Sequence, residues 1–374
     1  MNFEYEKLEN VCEILDSQRI PITEKDRKSG IYPYYGANGV QDYIDDFIFD
    51  DELVLLAEDG GNFGSKDKPI AYRVSGKCWV NNHAYVLKAK DIIDIDYLCY
   101  SLMFYNTSGL VNGATRQKLT QSAMRQMLIP LRKKDIQLKI VKKISLLFQL
   151  IEKRKQQLSK LDQLVKSKFI EMFGECKTNP KNWKLLNMED VAVVGSSKRV
   201  FVEELQEDGI PFYRGTEVGA LAEGKSIVPE LYIAENHYKE LVKATGIPQL
   251  GDLLMPSICP DGRIWVVNTE NPFYFKDGRV LWIHNIDTKF NSTFLLYTLK
   301  DRIMTDYLSI ASGTTFSELK IFTLKKCKIF SVPLPLQEQF AAFVEQVEKA
   351  KSSVKQSLEK LETLKKSLMQ EYFG

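Results

Sequence analysis

The sequence predicts an α+β protein in which two similar mixed α/β domains are joined by two long antiparallel coiled-coil helices, as a pseudo-twofold internal repeat. Three observations predict this fold. A charged run with heptad spacing covers residues 136–173, a second covers residues 337–373, and the segments before each run recur in the same order. The predicted boundaries are 1–132 for the first domain, 133–174 for the central helix, 175–336 for the second domain and 337–374 for the C-terminal helix.

The mid-chain run is predicted to be a helix with one apolar seam. Steps of three and four residues separate its apolar side chains, which are Ile140, Ile144, Leu147, Ile151, Leu158, Leu161, Val165 and Met172. This spacing is typical of a helix that packs against another helix along one side. Neither proline nor glycine lies between Leu131 and Gly174, and a helix of this length would extend roughly 57 Å. We expect it to be a spacer.

The C-terminal run is predicted to be the partner of the first. Lys351 and Lys365 stand where its heptad pattern expects apolar residues. The predicted seam between the two helices consists of Ile144, Leu147, Ile151, Leu158, Leu161, Val165, Val347, Val354, Leu358, Leu361 and Leu368. Any two helices rich in Lys and Leu look alike, but here LSKLDQLVKSKFIEMFG and LEKLETLKKSLMQEYFG match at an offset of 200, including the final Phe-Gly. Upstream, IPLRKK and VPLPLQ align at an offset of 203, which predicts a first helix about one turn longer than the second.

The first domain is rich in strand and turn signals. GIYPYYGANGV contains an Asn-Gly turn, DELVLLAEDGGNFGS is an apolar strand that leads into a glycine loop, and residues 68–89 read as two strands joined at Ser75-Gly76. A helix is expected around residues 95–105. The second domain repeats these features in order, with GIPFYRGTEVG, GDLLMPSICPDG, FLLYTLK and ASGTTFSELK in the corresponding places. Leu119 and Leu319 again differ by 200. The residues between the motifs diverge, which suggests one scaffold with two differently adapted surfaces.

Composition restricts the class of protein. Hydrophobic residues make up 44% and charged residues 27% of the chain, as in ordinary globular proteins. No apolar run is long enough to span a membrane, and the N-terminus does not resemble a signal peptide. Six scattered cysteines form no metal-binding pair, so we expect free thiols in a reducing cytoplasm. Residues 132–168 contain 12 basic and 3 acidic side chains, a charge suited to a phosphate backbone, to an acidic partner or to solvent.

With these motifs, the chain resembles the specificity (S) subunit of type I restriction–modification systems. The resemblance covers essentially the whole chain and is carried by NGATRQKL before IPL, by SGTTFSEL before VPLPLQEQ, and by the helix that follows each of them. The NPKNW segment that leads into the second domain also fits. The first boundary departs from the family pattern, because IPLRKKDIQ lacks the second proline and the Glu-Gln pair.

The resemblance implies two target recognition domains that read a bipartite sequence in double-stranded DNA, one half-site each. It also implies recruitment of two methylation subunits and of restriction subunits. It implies no catalysis by this chain and no cofactor, since methylation, ATP hydrolysis and cleavage belong to those partners. No membrane association is expected.

The candidate DNA-binding residues are polar loop residues beside glycines, together with lysines at the start of the central helix. Arginine suits guanine, asparagine and glutamine suit adenine, and glutamate accepts a hydrogen bond from cytosine. The candidates are Tyr35, Asn38, Asn62, Asn81, Asn82, His83, Arg116, Gln117, Lys133, Lys134, Lys142, Lys143, Arg214, Thr216, Glu217, Arg263, Thr314 and Thr315. The alternatives remain open: residues 81–83 also suit a hydrogen-bonded turn, the aromatic residues suit a core, and the lysines suit solvent or a partner.

Two rival classes of function are an enzyme, which would be either a methyltransferase or a nuclease, and a scaffold or adaptor. A self-contained methyltransferase would need an Asn/Asp-Pro-Pro-aromatic motif, yet only NPKN and NPFY occur, and no phosphate-binding loop is present. A nuclease would need clustered carboxylates with a lysine, for which only Glu58, Asp59 and Lys66 are available. A coiled-coil scaffold or adaptor that binds no DNA would share the helices. It would leave the two divergent loop-rich domains unexplained.

Overall fold

The computed structural model describes residues 4–113, 116–312 and 317–374. The chain divides into two compact units. The first unit contains Met1–Gln157 and Val354–Gly374, and the second contains Leu158–Ser353. Two 40-residue helices contribute to both units: α4 spans Lys134–Phe173 and α9 spans Leu334–Phe373. No helix in the described residues is both long enough and apolar enough to cross a lipid bilayer.

The first unit is built around one mixed sheet. Before α4 its elements are β1 (Glu4–Lys7), α1 (Leu8–Val11), β2 (Cys12–Ile14), β3 (Ser29–Gly36), β4 (Gly39–Ile44), β5 (Phe49–Ala57), β6 (Ala71–Val80), β7 (Ala84–Ala89), α2 (Ile95–Met103), β8 (Val111–Asn112), β9 (Lys118–Leu119), α3 (Gln121–Arg125) and β10 (Leu128–Leu131). The six strands of the sheet run in the order β2-β7-β5-β6-β3-β4. Strand β5 lies inside the sheet, between β7 and β6. Its residues Leu53, Val54, Leu55 and Leu56 are all fully buried, as expected for a strand covered on both faces.

The second unit has the same kinds of element. Between α4 and α9 they are β11 (Lys184–Asn187), β12 (Val193–Gly195), β13 (Leu205–Gln206), β14 (Ile210–Tyr213), α5 (Gly215–Ala222), β15 (Tyr232–Ile233), α6 (Glu235–Thr245), β16 (Leu253–Pro256), β17 (Trp265–Val266), β18 (Tyr274–Phe275), β19 (Val280–His284), α7 (Ser292–Ile310), β20 (Ala311–Ser312), β21 (Glu318–Leu319), α8 (Ile321–Lys325) and β22 (Lys328–Ser331). They form one sheet of order β12-β19-β16-β17 and another of order β13-β15-β14-β18.

The two units share a topology. In each unit a central strand, β5 or β16, pairs antiparallel with two neighbours. One of these neighbours, β7 or β19, also pairs with a short strand from earlier in the chain, β2 or β12. The resulting orders are β2-β7-β5-β6 in the first unit and β12-β19-β16-β17 in the second. Each unit also contains one parallel pair, β3 with β6 and β14 with β18. The long strand β6 corresponds to two short strands in the second unit, β17 and β18, which explains why that unit has two sheets. The predicted α+β repeat with two long helices is confirmed.

Helices α4 and α9 pack antiparallel within each unit. In the first unit, Lys143 Nζ lies 3.4 Å from Tyr372 Oη, and Lys155 Nζ lies 3.3 Å from Glu362 Oε1. From the first contact to the second, the residue number rises along α4 and falls along α9, as in an antiparallel pair. The residues predicted for the seam are all buried or half-buried in the described structure.

In the second unit the seam is aromatic. The rings of Phe169 and Phe173 each lie 5.5 Å from the ring of Phe340. The Lys351 ammonium, whose side chain is 15% exposed, lies 2.8 Å from Asp162 and 2.7 Å from Glu348. Burial alone would lower the pKa of Lys351, but hydrogen bonds to these two carboxylates raise it. A lysine therefore occupies an apolar heptad position because two acids surround it.

Two predictions about local structure are wrong. The offset of 203 implied a longer first helix, yet both helices have 40 residues, and β10, which precedes α4, corresponds to β22, which precedes α9, at an offset of 200. The offset of 203 pairs Pro130, which lies inside β10, with Pro333, which lies between β22 and α9, so the two prolines are not structurally equivalent. The turn expected at Ser75-Gly76 lies instead at residues 81–83, since β6 runs unbroken from Ala71 to Val80.

Candidate nucleic-acid interface

Charged and polar side chains of the first unit meet where β5 leaves the sheet. We call this site the first corner and define it by Glu58, Asp59, His83, Arg116 and Lys118. The backbone builds it: Glu58 N donates to His83 O at 2.8 Å, and Leu119 N donates to Glu58 O at 2.7 Å. These bonds join the end of β5 both to the turn before β7 and to the β8–β9 hairpin. Backbone hydrogen bonds therefore hold three segments together beneath the polar side chains.

One carboxylate oxygen organises the exposed part of the first corner. Asp59 Oδ1 lies 2.6 Å from His83 Nδ1 and accepts a hydrogen bond from Arg116 Nη2 at 2.8 Å. The Arg116 side chain is 59% exposed, whereas that of Asp59 is 19% exposed. Gly113 has φ +104°, and a β-carbon at this position would collide with the Arg116 carbonyl oxygen. Asp59 thus holds a guanidinium and an imidazole together at the surface.

A second ion-pair network lies beneath this one. Glu58 Oε2 accepts a hydrogen bond from Arg19 Nη1 at 2.8 Å, and Glu58 Oε1 lies 3.1 Å from Lys118 Nζ. Arg19 also donates to the carbonyl oxygen of Ala84, the first residue of β7. Arg19 and Glu58 are both 13% exposed, so their contact is well shielded from water. They are therefore well placed to fix the corner, while Lys118, at 53% exposure, faces solvent.

The second unit has a corner with the same backbone and different side chains. Ser257 N donates to Arg279 O at 2.9 Å, and Leu319 N donates to Ser257 O at 2.8 Å. In the first unit, Glu58 N donates to His83 O and Leu119 N donates to Glu58 O in the same way. The second corner is defined by Ser257, Arg279, Glu318 and Lys320. Strand register gives the same correspondence between the two corners. Leu56 pairs with Tyr85 in the first unit, and Met255 pairs with Leu281 in the second.

Equivalent positions in the two corners carry different charges. His83 corresponds to Arg279, Glu58 to Ser257, and Lys118 to Glu318. Glu318 accepts hydrogen bonds from Ser257 Oγ at 2.7 Å, Arg279 Nη1 at 3.1 Å and Lys320 Nζ at 2.5 Å. Burial alone would raise the pKa of Glu318, but these hydrogen bonds and the neighbouring cations lower it. A common frame thus presents two different chemical surfaces.

The structure places several predicted residues of the first unit at the first corner. Asn38 Nδ2 donates to Gly60 O at 3.0 Å, and Gly60 N donates to Gln117 O at 3.0 Å. Asn82 is exposed in the turn that His83 ends. The predicted residues at or beside the corner are Asn38, Asn82, His83, Arg116 and Gln117.

The other three predicted loop residues of the first unit make contacts within the protein. Tyr35 is half-buried, with its ring 5.8 Å from the ring of Tyr72. Asn81 is 3% exposed and holds the turn by donating to Gln41 Oε1 at 2.9 Å and accepting from His83 N at 2.8 Å. Asn62 donates to Pro69 O at 3.3 Å.

Three predicted residues of the second unit form the start of α5. Glu217 is 9% exposed and accepts hydrogen bonds from Arg214 N at 2.8 Å, Arg214 Nη2 at 2.5 Å and Thr216 Oγ1 at 2.9 Å. Burial alone would raise the pKa of Glu217, but these hydrogen bonds lower it to about 2. The carboxylate is engaged within the protein, whereas Thr216 is exposed. A β-carbon at Gly215 would lie 3.5 Å from Arg279 O, so this helix start adjoins the second corner.

The remaining candidates are distributed more widely. Arg263 Nε lies 2.8 Å from Asp261, and Arg263 Nη1 lies 3.8 Å from Glu223 just after α5 ends. Thr314 and Thr315 lie outside the described residues. The four lysines at the start of α4, which are Lys133, Lys134, Lys142 and Lys143, are all exposed.

Sequence reasoning missed Lys118, Arg279 and Glu318 as site residues. One signal could have found two of them: Leu119 and Leu319 are buried, so the residue before each points to the opposite face of its short strand. Arg279 directly precedes the apolar run VLWIH, as His83 precedes AYVLKA. Aligning these two runs pairs Arg279 with His83.

Comparison with known proteins decides the family. The model of the type I restriction modification DNA specificity domain matches residues 1–163 and again residues 180–363. The chain belongs to this family of specificity subunits. The putative type I restriction enzyme specificity subunit of Haemophilus influenzae is 30% identical over 360 residues, which cover 95% of this chain and 90% of that one. The specificity subunit of the MjaIX enzyme of Methanocaldococcus jannaschii is 28% identical over 175 residues, or 44% of this chain and 37% of that one.

Solved structures share the fold of this specificity subunit. The S subunit of M. genitalium superposes with a TM-score of 0.61 at 15% identity, covering 100% of this chain and 96% of that one. A chain from a structure on complex assembly and conformational transition of the type I restriction–modification system gives a TM-score of 0.55 at 17% identity, covering 99% and 97%. Specificity subunits are non-catalytic components of type I restriction–modification systems, so this chain is a specificity subunit rather than an enzyme.

Proposed function

We propose that this specificity subunit binds a bipartite DNA target, with each unit reading one half-site through its corner. The observation that supports this most is the pair of corners, which share one backbone frame and differ in charged side chains. Two half-sites of different sequence require such a difference, because base edges are distinguished by the donors and acceptors that face them. The proposed function places the chain in the cytoplasm with the DNA.

The charges of the corners suit base reading. In each corner a carboxylate holds an exposed arginine: Asp59 holds Arg116, and Glu318 holds Arg279. An arginine fixed in this way loses less conformational freedom when it binds a base. The exposed lysines of α4 would contact phosphates, which position the protein without reading sequence.

Helices α4 and α9 are the proposed docking surfaces for two methylation subunits, and restriction subunits would join the assembled complex. In addition to the buried seam, the helices expose Leu146 at 56%, Leu164 at 47% and Leu364 at 47%. Leu164 and Leu364 are equivalent at the offset of 200, which suits two similar partners.

Methylome sequencing of a host with and without this gene tests the proposal, with the methylation partner present in both strains. We expect a methylated motif that depends on the gene and consists of two short specific sequences separated by unspecified bases. A motif that persists without the gene, or a single continuous motif, would contradict the proposal. An adaptor that does not bind DNA, the alternative function, predicts no dependence of the motif on this gene.

A further inference from the structure

We propose that Arg279 reads a guanine in the half-site of the second unit and that Glu318 is its positioning residue. This inference rests on the proposed function and names a contact within it. Arg279 lies in the turn before β19 and its side chain is 58% exposed, while the side chain of Glu318 is only 15% exposed. The arginine therefore reaches into solvent from a shielded anchor.

The geometry leaves most of the guanidinium available. Among the described residues, its side-chain partner is Glu318, through Nη1 at 3.1 Å. The Arg279 backbone is fixed at both ends, since its N donates to Asp277 O at 2.7 Å and its O accepts from Ser257 N at 2.9 Å. A guanidinium that is tied through one nitrogen retains the paired donors that match O6 and N7 of guanine in the major groove.

Glu318 is itself held in place. Ser257 Oγ donates to Oε1 at 2.7 Å, and Lys320 Nζ lies 2.5 Å from Oε2. Because both oxygens of the Glu318 carboxylate already contact donors of the protein, we do not expect Glu318 to bind a base itself. Its role is to orient Arg279, and Lys320 provides the charge balance that lets the acid stay ionised beside a DNA backbone.

Comparison with the first unit supports a reading role for this position. His83 stands at the equivalent place and also contacts a carboxylate, Asp59, at 2.6 Å. The anchoring acid comes from the end of β5 in the first unit and from the β20–β21 hairpin in the second. Both units therefore hold a side chain at this position with a carboxylate. The side chain is a histidine in one unit and an arginine in the other, and the carboxylate comes from a different segment in each. A position used only for folding would not need this exchange.

The test uses the purified complex of this chain with its methylation partner and a duplex that carries the motif from methylome sequencing. Each guanine of the second-unit half-site is replaced in turn by 7-deazaguanine, which lacks the N7 acceptor, and binding is measured by competition. We expect the wild-type complex to bind one of these duplexes about tenfold more weakly. Arg279→Ala should bind more weakly overall and be indifferent to that replacement. Arg279→Lys should bind DNA but discriminate less, since lysine cannot make the paired contact.

Matched variants separate the roles. Glu318→Gln should reduce discrimination at the same guanine by a smaller factor than Arg279→Ala. Lys239→Ala removes another exposed cation that is paired with a carboxylate, Glu235, and should change nothing. If Arg279→Ala weakens all duplexes by one factor and keeps the wild-type sensitivity, Arg279 contacts phosphate and the proposal is wrong. It is also wrong if no guanine of that half-site is sensitive. If Arg279→Ala does not fold, Arg279→Lys decides. Absence of sequence-specific binding by the wild type would instead overturn the proposed function.

Discussion

Gln137 and Gln337 make the same three hydrogen bonds in the two units. The side-chain oxygen of each accepts from the backbone N–H that starts a helix, Asp94 N at 2.7 Å and Asn291 N at 2.9 Å. The side-chain nitrogen of each donates to two carbonyl oxygens, with the shorter bond at 2.7 Å in both cases. Both glutamines are fully buried. Each one joins a long helix to the domain beside it, so the repeat extends to individual hydrogen bonds.

Replacing Gln137 with alanine should destabilise the first unit by about 2–4 kcal/mol, because the Asp94 N–H and two carbonyl groups would lose their buried partner. Gln337→Ala should do the same to the second unit. Denaturant unfolding measures the loss, and hydrogen exchange should locate it at the start of α2 for the first variant and of α7 for the second. Gln156→Ala, on an exposed part of α4, serves as the control. A similar stability for Gln137→Ala and the control would contradict the assignment.

Glu217 should stabilise the second unit in a pH-dependent way. Its pKa in the folded protein, about 2, is below the usual value of 4.5, so its contribution is fully present above pH 4.5 and is lost as the pH falls toward 2. Glu217→Gln should cost about 1–3 kcal/mol at pH 7. The stability difference from wild type should shrink as the pH is lowered from 4.5. The control is Glu240→Gln, at an exposed position of α6 in the same unit. A stability difference for Glu217→Gln that does not depend on pH would show that charge is not the cause.

The half-buried Lys351 should be replaceable by an apolar residue. Lys351→Leu completes the heptad seam and is expected to change stability by less than about 1 kcal/mol or to increase it, since ion pairs with the exposed carboxylates of Asp162 and Glu348 contribute little net stability. Asp162→Ala leaves the ammonium with one of its two acids and should be less stable than Lys351→Leu. Thermal unfolding ranks the two variants. The reverse order would show that the ion pair, rather than the seam, stabilises this part of the helix pair.

The four lysines at the start of α4 should add affinity without adding specificity. Replacing these lysines with alanine should make DNA binding less sensitive to salt. The slope of the logarithm of the DNA-binding constant against the logarithm of the salt concentration should become shallower by about 0.9 for each of Lys133, Lys134, Lys142 and Lys143 that contacts a phosphate. The methylated motif should stay the same. Lys349→Ala, an exposed lysine of α9, is the control. An unchanged slope would place these lysines in solvent or against a partner.

Lengthening both helices by one heptad should widen the unread gap of the DNA site. An insertion after Gln157 and another after Ser353 both lie between the ion pairs Lys155–Glu362 and Lys351–Asp162, so each half of the helix pair keeps its register. Seven helical residues add about 10 Å, or roughly three base pairs. Methylome sequencing reads the gap. A gap of unchanged length would contradict a spacer role, while a change in either specific half would show that the insertion disturbed a domain.

The sequence predicted the large-scale organisation well because heptads and repeats are local or periodic signals. The helices follow from the Leu/Lys register, and the 200-residue repeat follows from that register together with the final Phe-Gly and the recurring order of motifs. The corners could not be predicted in detail, because each brings together three segments that are distant in the chain. Glu217 illustrates the limit. In sequence it looks like a free acid beside glycines, but GTEVGALA folds into a helix whose first turn uses that carboxylate.

The most direct test of the central claim is to exchange residues 183–335 for the corresponding segment of another specificity subunit and to map the methylated motif. Separate reading by the two units predicts that one specific half of the motif changes while the other half is kept. A change in both halves, or in neither, would contradict the claim that each unit reads its own half-site.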